Sequence, residues 1–173
     1  MDHDGSGAST PLWILPLAGN RTPQAVTEQA FLRTMARFSP DGRWVTYASN
    51  ESGRFEVYLQ NYPAFTGKWQ ISTASGAQPL WRADGKALFY LGRNGKLMIV
   101  PLTLGATAEV GSPVALFDVR VEGGVQMNGI WHQYDVAADG QRFLVNAVVQ
   151  DAAPASFTVV LNWHSGLAAR ETR

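Results

Sequence analysis

Apolar and polar residues alternate along most of this chain, and a recurring turn pattern interrupts the alternation. Three copies of the pattern centre on Asp41-Gly42, Asp84-Gly85 and Asp139-Gly140. In each copy an apolar residue precedes the Asp by three positions, and apolar residues follow it by four and six. Asp and Gly tolerate the positive φ of a two-residue hairpin. Each copy therefore predicts two antiparallel strands joined by a tight turn.

Further strands are predicted between and beyond these units. The segments with strand character are 11–17, 23–28, 55–60, 68–72, 96–102, 113–118 and 158–163. Residues 28–36 are interpreted as a connecting loop, because every segment around them has strand periodicity. Residues 105–111 are also predicted to be a loop. Asn94-Gly95 is a strong hairpin signal before the strand at 96–102.

The spacing of the units predicts blades of a β-propeller. The Asp residues are 43 positions apart, then 55. The first interval suits a four-stranded blade, and the second carries an insertion at 119–132. Residues 12–17 and 97–102 also match almost position for position. The predicted fold is all-β: outer strands three and four at 11–28, complete blades at 35–72 and 78–118, and strands one to three at 132–163.

Composition limits the classes of function. Lys plus Arg and Asp plus Glu are each 14, and the basic residues are scattered, which argues against nucleic acid or an anionic membrane as partner. With no cysteine, disulfides and thiolate metal sites are excluded. No apolar run approaches the ~20 residues of a membrane span. Residues 1–10 lack the features of a signal peptide and are interpreted as a disordered tail or linker remnant.

The repeated pattern resembles the TolB-like (WD-type) β-propeller repeat over most of residues 11–163. The run from Arg37 to Trp44, with 49–53 and 68–72, is closer to the C-terminal propeller of some bacterial serine/threonine protein kinases. The resemblance implies a sensor or docking surface, with an extracytoplasmic location. Phosphate-loop, His-Arg-Asp and Asp-Phe-Gly motifs are absent from this sequence. The third unit departs from the pattern, having Val-Ala-Ala before its Asp-Gly.

Three functional classes remain open. The favoured one is a non-catalytic binding or scaffold module for a protein or peptide, without cofactor or metal. The alternative is part of a larger enzyme, either the sensor propeller of a membrane-bound kinase or the gating propeller of a peptidase. A stand-alone propeller lyase or glycosidase is the third. The open blade edges at both ends also predict self-association, with two copies forming a ring as one form of it.

Most candidate chemistry has a structural explanation. Asp41, Asp84 and Asp139 resemble a ring of carboxylates, but an Asp-Gly turn already explains them, and Arg43, Lys86 and Gln141 follow them as neutralising neighbours. The histidines lack metal-binding spacing, and Gly-x-Ser-x-Gly is absent. Recurring aromatic residues are expected to fill the wedge between blades. They are Trp44, Trp69, Trp81, Tyr47, Tyr58, Tyr90 and Phe89.

The insertion supplies the candidate binding site. Loops at propeller ends often carry the binding residues, so the interruption of the repeat between 121 and 132 draws attention. The predicted binding residues are Gln126, Asn128, Trp131 and His132. The predicted domain organisation is a tail at 1–10, a partial propeller at 11–164 and a C-terminal tail at 165–173.

Overall fold

The computed structural model describes residues 11–26, 31–121 and 123–148, and these ranges form strands and turns without a helix. The first complete sheet contains four antiparallel strands in the order β3-β4-β5-β6. The strands are β3 (Arg33–Phe38), β4 (Trp44–Ser49), β5 (Glu56–Asn61) and β6 (Lys68–Gln70). This sheet, called blade 1, confirms the predicted all-β blade.

Blade 2 has the same order with one addition. Its strands are β7 (Gly76–Trp81), β8 (Ala87–Gly92), β9 (Lys96–Leu104), β10 (Ala108–Val110) and β11 (Val114–Asp118). The first half of β9 pairs with β11 and its last residues pair with β10. The prediction of a loop at 105–111 was wrong in part, because the chain turns back at Gly105 and Ala108–Val110 forms a short strand on β9.

A two-stranded sheet lies before blade 1 and another follows blade 2. In the first, β1 (Trp13–Ile14) pairs with β2 (Gln24–Ala25). In the second, β12 (Tyr134–Val136) pairs with β13 (Phe143–Val145). The strands predicted at 11–17 and 23–28 are thus shorter in the structure. The third strand predicted at 158–163 and the tails at 1–10 and 165–173 lie outside the described residues.

The first strand of blade 1 begins earlier than predicted. Residues 28–36 were expected to be a loop, but β3 already begins at Arg33. The apolar and polar residues do not alternate regularly there because β3 contains an irregularity, and its register on β4 shifts between Thr34 and Arg37. Met35 sits in that shift with a φ of 56°. A bulge of this kind removes the strict period of two that identifies a strand.

The wedges between sheets hold the apolar core. Between blades 1 and 2 the buried cluster includes Trp44, Leu59, Trp81, Leu88 and Val100. Trp44 meets Trp69 edge to face with ring centroids 5.4 Å apart. A second cluster joins blade 2 to the β12–β13 sheet and a third joins the β1–β2 sheet to blade 1. The aromatic residues predicted to fill the wedges lie in these clusters, and each wedge fixes the angle between neighbouring sheets.

Candidate functional site

The three Asp-Gly turns are stabilised by contacts within each turn. Each Asp accepts the backbone N–H two residues later, from Arg43, Lys86 and Gln141. Each also forms an ion pair with an arginine of the same turn: Asp41 with Arg43, Asp84 with Arg82 and Asp139 with Arg142. The neutralising side chain is therefore the predicted one only for Asp41. Because these carboxylates are already paired, their role as turn residues accounts for them.

Hydrogen bonding explains the acidity of these carboxyl groups. The Ser39 hydroxyl donates to Asp41 Oδ1 at 2.6 Å, and this bond, followed by the Arg43 contacts, lowers the pKa of Asp41 to about 2. The Arg82 side chain lowers the pKa of Asp84. The backbone N–H of Gln141 lowers the pKa of Asp139. A cavity of about 470 Å³ lies between the first two turns.

The inner strands of neighbouring sheets run side by side. We call the surface formed by Arg37 of β3, Pro79 of β7 and His132 just before β12 the inner-strand face. The Trp81 indole N–H donates to the Arg37 carbonyl oxygen at 3.4 Å, which joins β7 to β3. His132 Nε2 lies 3.3 Å from the Pro79 carbonyl oxygen, which joins the segment leading into the β12–β13 sheet to β7. Three successive sheets thus contribute one residue each to this face.

The insertion loop comprises residues 119–121 and 123–132 and is attached to blade 2 through two glutamines. Gln78 Nε2 donates to the Gln126 carbonyl oxygen at 3.1 Å and to Gln133 Oε1 at 2.7 Å. The Gln126 backbone N–H donates to Gln133 Oε1 at 2.8 Å. Gln133 Nε2 donates to the Gly124 carbonyl oxygen at 3.0 Å. Both glutamines are buried, so these bonds hold the loop firmly against the blade.

The next part of the loop contains one residue that packs on the blades and two that are exposed. Met127 packs against Met35, Ala48 and Ala77 at the junction of blades 1 and 2. Ile130 and Trp131 follow it and are 83% and 62% exposed. Large apolar side chains at such exposure, held by a loop that is fixed on both sides, form a surface suited to contact with another molecule.

The predicted binding residues lie in different surroundings. Asn128 lines a cavity of about 410 Å³ with Ile130 and the residues of β3. His132 is part of the inner-strand face, and its Nδ1 lies 3.3 Å from Arg37 Nη2. Gln126 takes part in the network through its backbone, while its side-chain amide donates to the Gly123 carbonyl oxygen. Asn128 and Trp131 are therefore the candidates with exposed side chains, and His132 is half-buried.

Sequence reasoning missed the residues that position the loop. Gln78 and Gln133 both lie six residues before the Asp of an Asp-Gly turn, and Met35 holds the same place in the first unit. The sequence signal for these residues was a glutamine at an inner-strand position within an otherwise apolar pattern. Arg37 and Thr34 of β3 were also missed, because the register shift between Thr34 and Arg37 removes the strict alternation that assigns side chains to a face.

Among the described residues, His, Asp and Glu side chains form no group of three or more that could hold a metal ion. The same ranges contain no helix of the length and apolar character needed to cross a bilayer. What the described part does contain is a four-stranded and a five-stranded antiparallel sheet in succession, flanked by two-stranded sheets, with wedge packing and Asp-Gly turns. These features define a partial β-propeller.

Comparison with solved structures places the fold among TolB-like propellers. TolB from Acinetobacter baumannii superposes with a TM-score of 0.55 at 20% identity, over 79% of this chain and 32% of TolB. An oligogalacturonate lyase from Vibrio parahaemolyticus gives 0.52 at 16% identity, over 79% of this chain and 35% of the lyase. Both are β-propeller proteins. The chain thus spans about a third of either protein, and the likeness shows the fold. No protein-family model and no curated protein matches the sequence.

Proposed function

We propose that this chain is a non-catalytic propeller module that binds a protein or peptide segment at the insertion loop and the adjoining inner-strand face. The observation that carries the proposal is the insertion loop, which the Gln78–Gln133 network holds in place while Ile130 and Trp131 remain exposed. Tryptophan is frequent among the residues that contribute most to binding at protein interfaces. The TolB-like fold supports the same function at a coarse level.

The absence of catalysis is part of the proposal. The carboxylates at the three Asp-Gly turns each form an ion pair with an arginine of the same turn. His132 contacts Arg37 and a backbone carbonyl, and no hydroxyl nucleophile of the described residues is bonded to it. A general base needs a reacting group within hydrogen-bond reach. These contacts favour a binding role for the residues around His132.

The experiment is a peptide selection followed by affinity measurement. Short linear peptides are displayed in two libraries, one with free N-termini and one with free C-termini, and selected on the purified chain. Selected peptides are then titrated against the wild type and Trp131→Ala by fluorescence anisotropy. We expect Trp131→Ala to weaken binding at least about tenfold, the effect of losing ~1.4 kcal/mol.

A matched control distinguishes binding at this site from nonspecific binding to any exposed tryptophan. Trp13 is also an exposed tryptophan, at 54%, but it lies on the β1–β2 sheet. Trp13→Ala should leave the affinity within about twofold, well below the tenfold effect of a lost hot-spot residue. If no peptide is selected, or if selected peptides bind Trp131→Ala as tightly as wild type, the proposed function is wrong.

The enzyme-associated alternative rests on the sequence resemblance alone. In that case the same module is the sensor propeller of a membrane-bound kinase or the gating propeller of a peptidase. The run from Arg37 to Trp44 supports it. Reading the natural gene upstream of these codons tests it, because kinase motifs and a membrane span there would establish the kinase form. A signal peptide directly upstream, without a catalytic domain, would instead favour a TolB-like periplasmic protein.

Self-association is the second partner proposal. Trp13, Leu15 and Leu17 are exposed on the segment that begins at β1, and Leu144 is exposed on β13. Within the described ranges each of these sheets has two strands, and apolar side chains on so small a sheet favour pairing with further strands. We expect the 173-residue chain to form dimers or larger species at high concentration. Sedimentation velocity showing a single monomeric species across the concentration range would contradict this.

A further inference from the structure

Arg37 differs from most arginines of the described residues in having no carboxylate partner. Arginines 33, 43, 54, 82 and 142 all form ion pairs. Arg37 donates instead to the carbonyl oxygen of Ala36, and its Nη2 lies 3.3 Å from His132 Nδ1. The Ala36 carbonyl is uncharged, and the His132 imidazole is uncharged in its neutral form. The Arg37 side chain is exposed. A guanidinium carries five N–H donors, so several remain available on this face.

The neighbouring histidine orients Arg37 without offsetting its charge. His132 Nε2 faces the Pro79 carbonyl oxygen, which can only accept a hydrogen bond, so Nε2 carries the proton. Nδ1 is then the acceptor for Arg37. Burial, followed by the positive charge of Arg37, lowers the pKa of His132. The imidazole is therefore neutral at pH 7, and the positive charge of Arg37 remains uncompensated by the groups that touch it.

A cavity of about 410 Å³ opens beside this cation. Its size falls within the range of roughly 300–1,000 Å³ typical of ligand pockets. Much of its wall is aliphatic, formed by Leu12, Leu32, Met35, Ala36 and Ile130. The polar side chains in the wall are Arg33, Thr34, Arg37 and Asn128. Arg33 is already paired with Glu51, which leaves Arg37 as the cation available to a ligand.

The cavity wall also includes Thr34, whose hydroxyl is buried and unpartnered among the described residues. Thr34 is 9% exposed, and among the described residues its hydroxyl has no hydrogen-bond partner. Buried hydroxyl groups are ordinarily bonded, so each exception calls for a physical explanation. Thr34 lines the cavity with Arg37 and Asn128. The hydroxyl itself lies beneath the surface, so a ligand on this wall would contact Arg37, Asn128 and the aliphatic side chains.

We propose that the cavity receives a carboxylate of a bound peptide, paired with Arg37, while an adjacent apolar side chain of the peptide packs on Ile130 and Met35. This inference rests on the proposed function and names the chemistry of its partner. Guanidinium and carboxylate match in a planar, two-bond geometry. The carboxylate comes from an Asp or Glu side chain or from a C-terminus. The aliphatic wall favours a peptide over an oligosaccharide of uronic acids, whose surface is rich in hydroxyls.

The test is a double-mutant cycle between protein and peptide. A selected peptide is prepared in three forms: unchanged, with its acidic side chain replaced by the amide, and with an amidated C-terminus. Each is titrated against wild type, Arg37→Met, Arg37→Lys and Lys86→Met. Lys86 lies in the Asp-Gly turn of blade 2 and its side chain forms no ion pair within the part of the chain that the structure describes, so Lys86→Met removes the same charge elsewhere.

We expect one of the two amide forms to bind wild type at least about tenfold more weakly, and Arg37→Met to lose the same factor toward the unchanged peptide. On Arg37→Met the amide form should bind like the unchanged peptide, since the coupling has already been lost. Arg37→Lys should retain part of the affinity, because it keeps the charge without the planar geometry. Lys86→Met should change the affinity by less than about twofold, far below the tenfold expected for Arg37.

The alternative outcomes are distinct. Peptides that need Trp131 but respond neither to amidation nor to Arg37→Met would overturn the carboxylate pairing and leave the proposed function standing. Failure of every peptide to depend on Trp131 would overturn both. Trigalacturonate binding that is lost in Arg37→Met, without any acidic peptide that binds, would overturn the peptide as the occupant. Thermal unfolding of Arg37→Lys and Arg37→Met beside wild type verifies that each variant is folded.

Discussion

Gln78 and Gln133 hold each other across the junction of two sheets. Gln78 Nε2 donates to Gln133 Oε1 at 2.7 Å, and the Gln133 backbone N–H donates back to Gln78 Oε1 at 2.6 Å. Gln78 has a φ of 61° at a register shift of β7, the same place that Met35 occupies in β3. The unusual backbone thus turns the Gln78 side chain toward the insertion loop, and the loop acquires its support from the blade.

Gln78→Leu should therefore destabilise the protein. Leucine is close to glutamine in size but cannot form its hydrogen bonds. The Gln126 carbonyl oxygen, Gln133 Oε1 and the Gln133 backbone N–H therefore lose their buried partner. We expect the free energy of unfolding to fall by about 2–3 kcal/mol, the effect of buried polar groups that lose their hydrogen bonds. Urea denaturation measures it. Gln126→Ala is the control and should stay within ~0.5 kcal/mol, because Gln126 joins the network through its backbone. Equal losses in both variants would contradict this account of the loop.

Glu56 provides a second test of buried polar support. Its side chain is fully buried and accepts bonds from Arg54 Nε at 2.6 Å, the Ser75 N–H at 3.0 Å and the Ser72 hydroxyl. Glu56→Ala should lower the free energy of unfolding by about 3 kcal/mol, since the buried Ser72 hydroxyl and Ser75 N–H lose their charged acceptor. Asp118→Ala removes an exposed ion pair with Lys96 and should cost about 0–1 kcal/mol. Similar midpoints of denaturation for the two variants would be inconsistent with this role of Glu56.

Thr34→Val should stabilise the unliganded protein. Valine has nearly the same shape as threonine and removes a buried hydroxyl that lacks a partner among the described residues. We expect a gain of about 1 kcal/mol, the lower end of the cost of an unsatisfied buried group. The matched control is Thr46→Val, which should destabilise, because the Thr46 hydroxyl donates to the Tyr58 carbonyl oxygen at 2.8 Å. A loss of stability in Thr34→Val as large as in Thr46→Val would contradict the assignment.

The first Asp-Gly turn predicts a pH effect. Because folding lowers the pKa of Asp41 from 3.8 to about 2, its contribution to stability is present above 3.8 and is lost as the pH falls toward 2. The hydrogen bond from Ser39 is the largest cause. Ser39→Ala should therefore raise the pKa of Asp41, measured by NMR titration of its carboxyl carbon, and should weaken the acid dependence of folding. An unchanged pKa of Asp41 in Ser39→Ala would show that Ser39 does not cause the shift.

The blades were predictable because their signals are local. Asp41-Gly42 and Asp84-Gly85 specify tight turns by their own backbone preferences, and the flanking alternation specifies the strands. The strand Ala108–Val110 was not predictable in this way, because three residues carry little periodicity and pair only where β9 continues past Pro101. The early start of β3 escaped detection because the bulge at Met35 interrupts the alternation.

The candidate site was predictable only in part. An interrupted repeat drew attention to the insertion loop, and Trp131 and His132 were named from it. The role of Arg37 depends on which basic side chains form ion pairs with carboxylates in the folded protein. Tertiary contacts decide these pairs. Likewise, Gln78 and Gln133 lie 55 positions apart, and only the packing of blade 2 on the β12–β13 sheet brings them together.

The most direct test of the central claim is a map of the bound peptide on the protein by NMR. A selected peptide is titrated into ¹⁵N-labelled chain, and changes in amide, indole and guanidinium signals are followed. The account predicts the largest changes at the Trp131 indole, the Ile130 amide and Arg37 Nε, with little change at Asp41 and Asp84. Changes concentrated at the Asp-Gly turns, with no change in the Trp131 indole signal, would contradict the assignment of the insertion loop and the adjoining inner-strand face as the binding surface.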